Sequence, residues 1–197
     1  MDELPLSLPI LLDGATGTQL QARGMPSGAC PEQWVLEHPE AILGLQSAYV
    51  AAGTQVLVAP TFGANRVKLE QHGASGSVEE YNKRLIDLSR QAAGGKALVA
   101  ADFSPVGLFI PPFGETSFDE LEEIYAQQAA ACEAAGADLF LVETTMTMPE
   151  ARAAVLAIKS VSKKPVWVTF TCDENGRTLA GTDVLAAMIV MQGMGVS

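Results

Sequence analysis

The run Ile10-Leu11-Leu12 ends on Asp13-Gly14-Ala15-Thr16-Gly17, an acid and a glycine turn closing a short apolar segment. In a parallel sheet such a segment is a buried strand, and the turn after it delivers a carboxylate and free backbone amides to the crevice where active sites form. Four further apolar segments close in a comparable way: 55–59 on Pro60-Thr61-Phe62, 97–101 on Asp102, 139–142 on Glu143-Thr144, and 166–170 on Thr171-Cys172-Asp173. Carboxylates gathered from several strand ends can hold the ammonium of an amino acid, coordinate a hard cation, or move protons. Each one alone is also a good cap for the loop or helix that follows it.

Other residues with chemical potential are less telling. Glycines after a first strand can cradle a pyrophosphate, which admits a nucleotide-binding oxidoreductase, but the third glycine position is Leu20 and no Gly-Lys-Ser/Thr follows to make a phosphate loop. His38 precedes Pro39 at a helix start and His72 precedes Gly73 at a helix end, so both read as capping residues rather than bases. Cys132 follows three alanines on an apolar helix and reads as core, whereas Cys172 stands at a strand end and stays open. Trp34 and Trp167 read as packing.

These residues need a scaffold, and composition bounds it. The chain has 197 residues, 48% hydrophobic and 18% charged, enough for one sizeable core. Twelve basic against twenty-three acidic side chains give a net charge of -11, which disfavours nucleic acid and anionic membrane as partners and points to a small molecule. The first residues carry acids where a secretory leader needs basic ones, and no apolar stretch is long enough to span a bilayer. Three scattered cysteines form neither a disulfide framework nor a metal knuckle. A cytoplasmic protein is expected.

Between the apolar strand segments, residues 39–52, 78–93, 117–135, 148–161 and 182–192 carry apolar side chains at helical spacing. Gly53 and Gly136 stand where a left-handed glycine ends a helix and turns the chain into a strand. About five βα units result, all within one unit covering residues 1–197. Their uniform pattern suits an open doubly wound sheet or part of a (β/α)8 barrel, whose usual size is ~250 residues. Gly193-Met194-Gly195 begins another helix-to-strand turn, so a C-terminally truncated barrel is expected.

Five motifs narrow the choice: Leu12-Asp13-Gly14-Ala15-Thr16-Gly17-Thr18, Pro60-Thr61-Phe62-Gly63-Ala64-Asn65-Arg66, Lys68-Leu69 with His72-Gly73, Val142-Glu143-Thr144, and Gly176-Arg177-Thr178-Leu179-Ala180-Gly181-Thr182. In this order and at these intervals the chain resembles the homocysteine-binding domain of homocysteine S-methyltransferases, most like their cobalamin-dependent methionine synthase branch. The resemblance implies an α/β, (β/α)8 TIM-barrel fold, incomplete here. It also implies methionine synthesis by methyl transfer from a methylcorrinoid and methyltetrahydrofolate system to a zinc-activated thiol. Asp13 and the amides around Gly14 would hold the amino-acid end of homocysteine, Glu143 would bind its ammonium, Thr61 would line the site, and Asn65 would stand behind them.

The chain departs from the family over zinc. The family's three ligand cysteines lie in Gly-x-Asn-Cys and Gly-Gly-Cys-Cys motifs, and neither motif is present. Cys30, Cys132 and Cys172 do not match those positions. The expectation is therefore no catalytic residue and no metal ligand in this chain, with zinc and cobalamin belonging to a longer family member. The alternative is a non-catalytic fragment or pseudoenzyme that binds an amino acid or a partner chain, or associates with itself through open barrel edges.

Overall fold

The computed structural model describes residues 5–74 and 76–197; the acidic start read at residues 1–4 lies outside them. Elements follow the order α1 (Gly17–Ala22), α2 (Pro31–Glu37), α3 (Pro39–Ala51), β1 (Val56–Val58), α4 (Arg66–Gln71), α5 (Val78–Ala93) and β2 (Leu98–Phe103). They continue with α6 (Phe118–Ala134), β3 (Leu139–Thr145), α7 (Met148–Val161), β4 (Val166–Phe170) and α8 (Val184–Gly193). The four strands form one parallel sheet in the order β1-β2-β3-β4.

The two faces of this sheet decide between the two architectures. Leu57, Val99, Ala101, Phe103, Phe140 and Val142 point to one side, where they bury against α5, α6 and α7 through Ile86, Leu121, Tyr125, Ala154 and Ile158. The opposite face gathers Val56, Ala100, Leu139 and Leu141 with Leu12, Val58 and Trp167, and among the described residues no helix contributes to it. A doubly wound sheet carries helices on both faces and reverses its strand order. Sequential order with helices on one side and strand residues alone on the other is barrel geometry.

Local chemistry sets the helix bounds. Ser77 and Ser117 accept the backbone N–H groups of Glu80 and Glu120 and start α5 and α6. Prolines occupy the first turns of α2, α3 and α7, where their missing N–H is harmless. Gly53 (φ 104°) and Gly136 (φ 82°) take the left-handed conformation expected of the two helix exits.

The expected first strand at 10–12 shrinks to a bridge. Leu12 pairs with Val56, and the Leu11 carbonyl accepts from Gln55 and Val56, before Asp13 N–H donates to the Val56 carbonyl at 3.2 Å. Pro9 has no N–H to donate and the Gly14 turn follows at once, which leaves room for little more. Three helices absent from the sequence pattern, α1, α2 and α4, have only six or seven residues, too few to show a period. α8 starts at Val184 rather than 182 because the Asp183 side chain accepts from Leu185 N–H. No helix among the described residues is long and apolar enough to cross a membrane.

Candidate active site

A cavity of about 650 Å³ opens at the carboxyl ends of the strands. Its wall contains four acids, Asp13, Glu32, Asp102 and Glu143, together with Gly14 to Gly17, Phe62, Thr144, Trp167 and Thr169. Among the described residues no lysine, arginine or histidine lines it.

Asp13 is placed by the single bridge described above. Its Oδ2 accepts Val58 N–H at 3.1 Å, which ties the carboxylate to the end of β1. Burial nevertheless pushes the carboxyl up to about 7, and the nearby Glu143 charge adds to the rise. Gly14 follows under the Tyr49 ring, and a Cβ there would stand 3.0 Å from Tyr49 Oη. The same hydroxyl donates to the Ala15 carbonyl at 2.8 Å, so α3 pins the turn, and a larger residue at 14 would press on the Tyr49 ring.

Glu143 lies where the pairing of β3 with β4 loses its register. The β3–β4 register shifts between Val142 and Thr145, and Thr144 sits at φ 63°. A β-branched residue in that region is strained, by on the order of 1–3 kcal/mol. Thr144 N–H is caught by Thr169 Oγ1 at 3.0 Å, which fixes the bulge. Glu143 stands in the cavity wall on the same face as Leu139 and Leu141, where the strand's alternation places it.

Asp102 is the penultimate residue of β2 and is 4% exposed. Burial raises its carboxyl well above the usual range, and both the charge of Glu143 and a hydrogen bond to it raise it further. Its Oδ1 has no hydrogen-bond partner. Glu32, also buried, is satisfied: its Oε1 accepts Gly63 N–H at 2.6 Å and Cys30 Sγ lies 3.4 Å from its Oε2.

Of the residues singled out from the sequence, Asp13, Gly14 and Glu143 converge on the cavity. Thr61 is fully buried and does not line it; its hydroxyl donates to the Asp102 carbonyl at 2.9 Å and accepts Asp102 N–H at 2.8 Å. Asn65, equally buried, accepts Lys68 N–H and starts α4. The strand-end pattern pointed to Asp102, whereas the family resemblance gave it no role. Glu32 carried no sequence signal, because only the fold brings α2 against Gly63. His38 starts α3 and stacks on Trp34 at 4.5 Å, and Cys132 is core, as read. Trp167 packs on the inner face but also walls the cavity.

The family model for homocysteine S-methyltransferase matches residues 10–196. The chain belongs to this family. Among its relatives are methionine synthase of Mycobacterium leprae, 27% identical over 93% of this chain and 17% of that protein, and homocysteine S-methyltransferase YbgG of Bacillus subtilis, 27% identical over 92% and 64%. The chain thus spans less than two thirds of either relative. The crystal structure of the metallated homocysteine methyltransferase MmuM from Escherichia coli superposes with a TM-score of 0.82 at 24% identity, covering 94% of this chain and 71% of that one. That likeness fixes the fold as the barrel type, with part of the barrel present.

The zinc that membership in this methyltransferase family implies does not fit the residues described. Cys132 is buried in α6, where burial pushes its thiol far up and Asn82 Oδ1 takes its hydrogen bond at 3.2 Å. Burial raises the thiol of Cys30, which precedes α2, and the neighbouring Glu32 charge raises it further. Among the described residues no three His, Cys, Asp or Glu side chains group as a metal site.

Proposed function

We propose that this chain forms the amino-acid-binding part of a homocysteine S-methyltransferase. The observation that carries the proposal is a cavity walled by four acids and no basic side chain. Carboxylates crowded out of water need a cation, and the ammonium of an α-amino acid supplies one with three donors. Glu143 and Asp13 take the ammonium, the backbone around Gly14 takes the carboxylate, and the apolar wall of Leu20, Phe62 and Trp167 receives the thiol-bearing side chain.

The reaction of the whole protein is methyl transfer to the homocysteine sulfur. The thiolate is the nucleophile, and a free thiol with a pKa of ~8.5 is mostly protonated at neutral pH. The residues of this chain bind and orient the amino acid. Activation of the thiol by zinc needs ligands beyond its cysteines, so no step is assigned to the metal here. A methylcorrinoid protein or domain is the proposed donor, supported by the similarity to methionine synthase. The three free cysteines support a cytoplasmic setting.

Calorimetry with L-homocysteine and with 4-mercaptobutyrate, which lacks the ammonium, tests the reading. Binding of homocysteine at least about tenfold tighter is expected from loss of one charged hydrogen-bonded contact. Equal affinities would refute it. A second reading, docking of a partner chain, is favoured by α8, whose Leu185, Met188 and Ile189 are 63%, 60% and 61% exposed on one short helix. Sedimentation that shows a monomer at all concentrations would remove it.

A further inference from the structure

The amino-acid reading leaves one side chain of the cavity without a task. Asp102 is buried, lines the cavity, hydrogen-bonds the Glu143 carboxyl, and keeps Oδ1 without a partner. Two ionised carboxylates are acceptors only, so a hydrogen bond between them requires a proton on one. Asp102 is the deeper of the two and faces acids from each neighbouring element: Glu143 on β3, Asp13 beside β1, and the protonated thiol of Cys132 on α6. Glu32 on α2 completes the acidic wall. No cation stands by to compensate a second charge on the pair.

The backbone of Asp102 is also held unusually firmly. Thr61 Oγ1 bridges its N–H and its carbonyl at 2.8 and 2.9 Å, and Gln128 Nε2 reaches the same carbonyl at 3.4 Å. Clamped from both sides, the residue has little freedom to withdraw from the cavity.

We propose that Asp102 and Glu143 form a proton-sharing carboxyl pair that exchanges its proton for the ammonium of the substrate, with Asp102 as the positioning residue. The exchange rests on the amino-acid reading above. In the free protein the Asp102 O–H donates to Glu143 and holds that carboxylate toward the cavity. The arriving ammonium donates to both carboxylates in place of the shared proton, and the displaced proton passes to solvent. One proton leaves as one ammonium enters, so the charge of the pair's surroundings is unchanged.

The test is calorimetry of L-homocysteine and of its thioether analogue L-methionine with the full chain, in buffers of different ionisation enthalpy. Asp13, held at about 7, also titrates in this range, so the difference between wild type and Asp102→Asn at about pH 6 isolates the pair. Wild type is expected to release about one proton more per L-methionine than Asp102→Asn, which retains a donor toward Glu143 but has no proton to give up. A 13C carboxyl titration of the free wild-type protein should find Asp102 still protonated at about pH 6, where exposed carboxylates have ionised. This keeps the inference testable if the variant fails to fold. Equal proton release by wild type and Asp102→Asn, or an Asp102 signal that ionises with the exposed acids, overturns the exchange and leaves the amino-acid reading intact. No binding of either amino acid overturns both.

Discussion

Asp102 and Glu150 are buried to nearly the same degree, 4% and 6% exposed, yet the chain treats them in opposite ways. Glu150, near the start of α7, accepts Val106 N–H at 2.9 Å, and its Oε1 lies 3.1 Å from the Tyr125 hydroxyl. It ties the loop after β2 to α6 and α7. Asp102 has a firmly hydrogen-bonded backbone and an unsatisfied carboxyl oxygen. Burial alone therefore does not separate a structural acid from a functional one. Whether its oxygens are satisfied by the protein does, since an orphaned buried acceptor costs about 1–3 kcal/mol unless something arrives to fill it.

The contrast is broken most directly at Glu150. Glu150→Ala leaves Val106 N–H without its acceptor inside the protein and should lower stability by about 3 kcal/mol in chemical denaturation, with homocysteine affinity of the folded fraction unchanged. An unshifted midpoint would erase the distinction. Glu143→Gln should do the reverse, weakening homocysteine about 10- to 100-fold by calorimetry while the denaturation midpoint stays near wild type. A midpoint loss as large as that of the Glu150 variant would assign Glu143 to structure.

The third prediction concerns pH. Asp13 is held at about 7 in the fold, against ~3.9 in an unfolded chain, so the folded state binds this proton more tightly. Its contribution is fully favourable below about pH 4 and is lost as pH rises toward 7, with a slope no steeper than ~1.4 kcal/mol per pH unit. Stability of Asp13→Asn should fall less steeply than wild type across that window. Parallel curves would show that the cavity does not desolvate Asp13.

What the sequence made legible follows the length and regularity of each signal. α5 and α7 match their expected bounds because fourteen or more residues repeat the helical spacing between clear stops. α1, α2 and α4 are too short to display a period, and the segment at 10–12 reads as a strand although neighbouring Pro9 and Gly14 limit its pairing. At the site, an acid at a strand end is a local pattern, which is why Asp13, Asp102 and Glu143 could be picked out. Thr61 shares that position, but its short hydroxyl turns back to β2. Glu32 depends on a contact with Gly63, 31 residues on, that no local pattern encodes.

The left-handed Thr144 has a consequence for how this protein can change over generations. Glycine at 144 would adopt φ 63° without strain and would be favoured by any selection for stability alone. The same replacement would loosen the backbone beside Glu143 and so the hold on its carboxylate. Robustness and substrate affinity thus pull on one codon in opposite directions.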